Sequence, residues 1–122
     1  MMHMPHVPTG RYDLVIHSDT LEHVPDPVKG LTECYRVLRP GGACCFTLPI
    51  VVGGLSRTRQ GLPRSYHGML NDPHDDCLVW TESRADAWRQ VHLAGFVEFR
   101  VVTLHSPAAH ALIGIKCYDE LR

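Results

Sequence analysis

A chain of 122 residues, 44% hydrophobic and 20% charged, has apolar side chains enough for one buried core and is neither disordered nor fibrous in composition. Its net charge of -1, with basic residues mixed among acids apart from the short Arg57 to Arg64 stretch, argues against binding nucleic acid by phosphate neutralisation. The longest apolar stretch, residues 43–55, is broken by Thr47, Pro49 and glycines and falls short of the roughly 20 apolar residues of a membrane span.

The first residues lack the basic region and apolar run of a secretory signal, so a cytoplasmic, membrane-free protein is expected. The five cysteines are odd in number and include no C-x-x-C pair. They lie mostly in apolar runs, where reduced, structural thiols are expected.

Residues 1–11, with their prolines and histidines, are expected to be a poorly ordered lead. Tyr12 to His17 is a short apolar run of the kind that forms a buried strand. Asp26-Pro27 then opens a helix, with Asp26 as N-cap and Pro27 at the first position, where its missing donor is not needed. The helix is predicted to run to about Arg39, burying a stripe of Val28, Leu31, Tyr35 and Leu38. Pro40-Gly41-Gly42 turns the chain into a second apolar strand over residues 43–52. A strand, helix, strand unit implies a right-handed crossover and a parallel sheet whose strands are buried on both faces.

From Gly53 to Val79 the pattern dissolves into Gly, Pro, Arg, His and Asp over a length typical of functional lids. Residues 53–79 are therefore read as a lid insertion. A second helix is predicted from Thr81-Glu82-Ser83, with Ser83 and Asp86 as a capping box and Ala85, Trp88 and Val91 on one face. Gly95 closes it. Residues 97–101 and 111–117 are predicted strands, joined around Ser106-Pro107 by a link too short for a parallel crossover, hence antiparallel.

The run Tyr12-Asp13-Leu14-Val15-Ile16-His17-Ser18-Asp19-Thr20-Leu21-Glu22-His23-Val24 resembles the fourth strand and following loop of type 11 class I S-adenosylmethionine-dependent methyltransferases. Leu31, then Arg36-Val37-Leu38-Arg39-Pro40-Gly41-Gly42 and an apolar strand ending in Pro49, resembles the helix, turn and fifth strand of that family. Gly95-Phe96 and the antiparallel pair match its carboxy-terminal layout.

The resemblance implies an α/β fold, half of a Rossmann-like sheet with strands in the order 4-5-7-6, the last strand antiparallel, with flanking helices. Residues 12–122 would be the carboxy-terminal half of such a domain. It implies a methyltransferase acting on a small-molecule acceptor, with S-adenosylmethionine as cofactor in a partial site. Only eleven residues precede Tyr12, and they contain no G-x-G turn between a strand and a helix. The expected consequence is a truncated chain, inactive alone, with strand four as a raw edge. That edge would pair in a homodimer or receive a missing amino-terminal half. The alternative is a non-catalytic dimerising module or one half of a split methyltransferase.

The resemblance places His17, Ser18, Asp19 and Leu21 at the cofactor pocket, at the carboxyl ends of parallel strands. Leu21 and Val24 also suit the helix entrance. Glu22 and His23 would orient the loop, with a satisfied structural role the better reading of His23. His67, in the lid, is the candidate general base, since an imidazole titrates near neutral pH. Its plain alternative is an exposed loop histidine. No metal site is expected. Pro73-His74-Asp75-Asp76-Cys77 reads as a solvated acidic turn, because adjacent donors rarely converge on one ion. Trp80 and Trp88 could line a substrate cavity, although Trp88 also fits the buried stripe. Gly54-Leu55-Ser56-Arg57-Thr58 lacks the last glycine of a nucleophile elbow, so hydrolase chemistry has no support.

Overall fold

The computed structural model describes residues 1–69, 73–104 and 109–118. In chain order its elements are β1 (Tyr12–Ser18), a 3-10 turn (Leu21–His23), α1 (Pro27–Val37), β2 (Leu38–Thr47), β3 (Arg57–Thr58), β4 (Thr81–Glu82), α2 (Trp88–Leu93), β5 (Glu98–Leu104) and β6 (Ala109–Ile115). Four strands form one sheet in the order β1-β2-β6-β5. The β1–β2 pair is parallel, and β6 runs antiparallel to both β2 and β5. This is the expected 4-5-7-6 arrangement. The Ser106-Pro107 link lies outside the described residues.

Helix α1 begins as its sequence dictates. Asp26 accepts a hydrogen bond from the Lys29 amide at 2.9 Å, and Pro27 occupies the first turn. It ends at Val37 rather than near Arg39, because Leu38 is already extended. The buried Lys116 closes that end, its Nζ donating to the carbonyls of Tyr35 at 3.2 Å and Leu38 at 2.8 Å. A cation there also meets the negative end of the helix dipole. The chain then swings out of register, with Tyr12 opposite Leu38 but Leu14 opposite Ala43. Gly41 sits in that excursion at φ +75°, where a β-carbon would come within 2.4 Å of the Tyr118 ring.

The second helix departs from expectation. Thr81-Glu82 is not its start but β4, paired antiparallel with Arg57-Thr58. The helix covers only Trp88–Leu93 and has no side-chain N-cap. The capping box fails because its residues are engaged elsewhere. Asp86 accepts from the Ser56 amide at 2.6 Å, and the Ser83 carbonyl accepts from Val51 at 2.8 Å. Trp88 is 48% exposed rather than core.

Both helices lie on one face of the sheet. Helix α1 packs on α2 and β2, and α2 packs on β5. Leu31, Cys34, Leu38, Cys44, Phe46, Val91, Phe96 and Leu112 form the core between them. At Gly114 the helix approaches so closely that a β-carbon would lie 2.8 Å from Val91 Cγ1. The expectation of burial on both faces is corrected for β1, whose residues alternate. Val15 packs against the core, whereas Leu14 and Ile16, pointing the other way, are 50% and 70% exposed. Among the described residues no helix covers that second face. None of the described helices is long and apolar enough to cross a membrane.

Residues 1–11, read in sequence as a loose lead, are tied to α1. Arg36 donates to the carbonyls of Met4 and Val7 and to the Thr9 hydroxyl, each at 2.9 Å, and pairs with Glu33 at 3.0 Å.

Candidate active site

The parallel pair ends with a polar step. Ser18 Oγ lies 2.7 Å from Thr47 Oγ1 and donates to Asp19 Oδ2 at 2.9 Å, while the Asp19 amide donates to the Thr47 carbonyl at 3.1 Å. Thr20 Oγ1 donates back to the Ser18 carbonyl at 2.9 Å. Asp19 adopts φ +46°, a left-handed conformation that Asp tolerates better than most residues and that recurs at ligand sites. Ser18 and Asp19 thus occupy the carboxyl end of the sheet, where α/β folds bind ligands. The two other candidates of this segment turn inward. Leu21 is 1% exposed and belongs to the core. His17 stacks on Phe46, with ring centroids 5.0 Å apart. A ligand at the strand end would meet the main chain of these two residues rather than their side chains.

Directly after this step the 3-10 turn sets Glu22 into the interior at 3% exposure. Glu22 Oε1 lies 2.8 Å from His67 Nδ1 and 3.7 Å from His23 Nε2. The two imidazoles stack at 5.9 Å. His23 Nδ1 lies 3.0 Å from the Leu78 carbonyl, so this ring has the structural partner expected of it. The Trp80 amide donates to the Glu22 carbonyl at 2.7 Å and fixes the turn to the segment that follows the lid. His67 is 45% exposed at its side chain. With its Nδ1–H given to the Glu22 carboxylate, its Nε2 keeps the free lone pair, the arrangement of an oriented general base. The pair borders a cleft of about 170 Å³ that also meets Val51, Arg59, Tyr66 and Glu82.

Sequence reasoning singled out His67 but missed its partner. The available signal was an acid placed immediately after Leu21 in an apolar helix entrance, where a carboxylate needs a partner to be buried.

The cleft is held by a charge cluster. Glu82, in β4, receives Arg57 at 2.7 Å, Arg84 at 2.7 Å and a close contact from Arg59. Those guanidinium bonds, Arg57 first, hold its carboxyl down to about 2. Within the acidic turn, Asp75 is bound by Arg64 at 2.9 Å and by the Tyr66 hydroxyl at 2.8 Å. Trp80 is 39% exposed. Trp88 lines a separate apolar cleft of about 240 Å³ with Ile50, Phe99 and Leu112.

Comparison with known proteins agrees with this architecture. A family model described as a methyltransferase domain matches residues 1–46. The chain is 42% identical over 43 residues to 2-methyl-6-phytyl-1,4-hydroquinone methyltransferase 2 of Oryza sativa subsp. japonica, covering 35% of the chain and 12% of that protein. It is 46% identical over 38 residues to the ubiquinone biosynthesis O-methyltransferase of Psychrobacter cryohalolentis, covering 31% of the chain and 15% of that protein. Among solved structures, a SAM-dependent methyltransferase from Thermotoga maritima superposes with a TM-score of 0.64 at 17% identity, over 94% of this chain and 60% of that one. The fold is that of this solved methyltransferase, and residues 1–46 carry the sequence match to the methyltransferase domain. The chain spans only about an eighth of the first of these relatives.

Proposed function

We propose that the chain forms the acceptor side of an S-adenosylmethionine-dependent methyltransferase acting on a small molecule with an ionisable hydroxyl. The observation that carries this reading is the Glu22–His67 pair, 2.8 Å apart, beside the polar strand end at Ser18 and Asp19. The relatives named for a hydroquinone and for ubiquinone biosynthesis support an aromatic hydroxyl as the acceptor group.

Ser18, Asp19 and the main chain of His17 and Leu21 fit one wall of a cofactor site, since they present hydrogen-bonding groups at the carboxyl end of parallel strands. S-adenosylmethionine, when bound, supplies an electrophilic methyl group. His67 takes the proton of the acceptor hydroxyl at Nε2, and the Glu22 carboxylate steadies the imidazolium that results. The lid residues Arg59, Tyr66 and His67, which border the acceptor cleft, select its occupant.

A second copy of this chain pairs at the β1 edge. Tyr12, Leu14 and Ile16 support that pairing, being 44%, 50% and 70% exposed along a strand with one described neighbour. The alternative, a dimerising module without catalysis, rests on the same edge. All five cysteines are free thiols, which supports a reducing compartment such as the cytoplasm.

The test is calorimetric titration of S-adenosylhomocysteine into the purified chain, with light scattering at each concentration. Saturable binding by a dimer is expected, followed by methyl transfer to a phenolic acceptor. His67→Asn should lower kcat by about 100-fold to 10,000-fold with cofactor binding intact. No binding at millimolar ligand would overturn the enzymatic reading of this chain, and binding by a monomer would overturn the assembly.

A further inference from the structure

Under the helix-covered face, a second group of chemically able side chains meets away from the cleft. His17 from β1, Cys34 from α1 and Cys44 from β2 each offer one donor atom, and these atoms lie within 4.8 Å of one another. Cys34 and Cys44 are 1% and 0% exposed. Both ring nitrogens of His17 are buried and lack a partner at hydrogen-bonding geometry. A buried imidazole without a partner is costly, and it is the more notable beside two sulfurs.

We propose that His17, Cys34 and Cys44 form a site for a thiophilic divalent cation of the zinc type. The donor set is two sulfurs and one imidazole, the softness that selects zinc or cuprous ion over magnesium or calcium. Charge decides between the two. Two thiolates cancel a divalent ion, whereas a monovalent ion would leave a net negative charge against Leu31, Leu38 and Phe46, which are at most 2% exposed. Zinc lies about 2.3 Å from sulfur and about 2.0 Å from nitrogen. Its donors therefore stand roughly 3.5–3.8 Å apart in a tetrahedron, so closing the present spacing needs movements of about 1 Å or less. On binding, two S–H bonds break, two metal–sulfur bonds and one metal–nitrogen bond form, and two protons leave to solvent. Three protein donors leave a fourth position open. Since the ion would join β1, α1 and β2, its binding stabilises the fold by linkage.

The test titrates Co²⁺, then competing Zn²⁺, into the full chain with no other ligand present. One equivalent of cobalt, a thiolate charge-transfer band, displacement by zinc and a zinc-dependent rise in Tm reversed by chelator are the expected results. Cys34→Ser and Cys44→Ser should each weaken binding by at least the roughly 100-fold that loss of even an outer partner can cause. The combined variant Cys45→Ser, Cys77→Ser, Cys117→Ser should keep it. These wild-type readouts and the triple variant hold even where a core serine prevents folding. Absence of a charge-transfer band, or loss of binding in the triple variant, would each overturn the proposal.

Discussion

The two faces of the central sheet are built from alternate residues of the same strands, yet they have opposite fates. Toward α1 and α2, Cys44, Phe46 and Leu112 are buried almost completely, while on the other side Leu14 and Ile16 remain half exposed or more. Apolar content does not distinguish them. What differs is whether a helix is present to cover the residue, which a strand's composition cannot reveal. The closed face carries the cohesion of the domain, and the open one leaves apolar side chains at the surface.

The sharpest test of that contrast is a pair of truncations. Phe46→Ala should cost about 3–5 kcal/mol in urea unfolding. Ile16→Ala should cost no more than about 0.5 kcal/mol in dilute protein. Equal losses would mean that the open face is covered in solution, and a concentration-dependent loss at Ile16 would identify a second copy as the cover.

A smaller effect is expected at the rim of the closed face. Lys116→Met removes the ammonium that serves the Tyr35 and Leu38 carbonyls, and should lower stability by about 2 kcal/mol. An unchanged Tm would show that those carbonyls are satisfied by water instead.

The weakest effect concerns the β3–β4 pair, which forms a separate two-stranded sheet. Glu82 has its carboxyl lowered from 4.5 to about 2, so it contributes stability above pH 4.5 that is lost as the pH falls toward 2. Unfolding free energy measured across that window should fall less steeply in Glu82→Gln than in the native chain. Parallel pH profiles would remove this carboxylate from acid sensitivity.

Much of the layout was readable because local rules agreed. Asp26-Pro27 marked the start of α1, and the length of the last link dictated an antiparallel pair. The second helix misled because Thr81 to Asp86 has the chemistry of a helix start while its groups serve Ser56, Arg57 and Val51 across the chain. At the candidate site, His67 was visible as a residue type. Its pairing with Glu22 joins positions far apart in sequence, and no spacing rule reaches that far. The same holds for His17, Cys34 and Cys44, which come from three elements and show no ligand motif.

Arg36 has a consequence of its own. All five of its N–H bonds are spent, on Glu33 and on the Met4, Val7 and Thr9 oxygens. The opening segment therefore serves as a splint along α1. A protease can cut it only after the guanidinium lets go, so the rate of clipping there gauges how often the last turn of the helix frays.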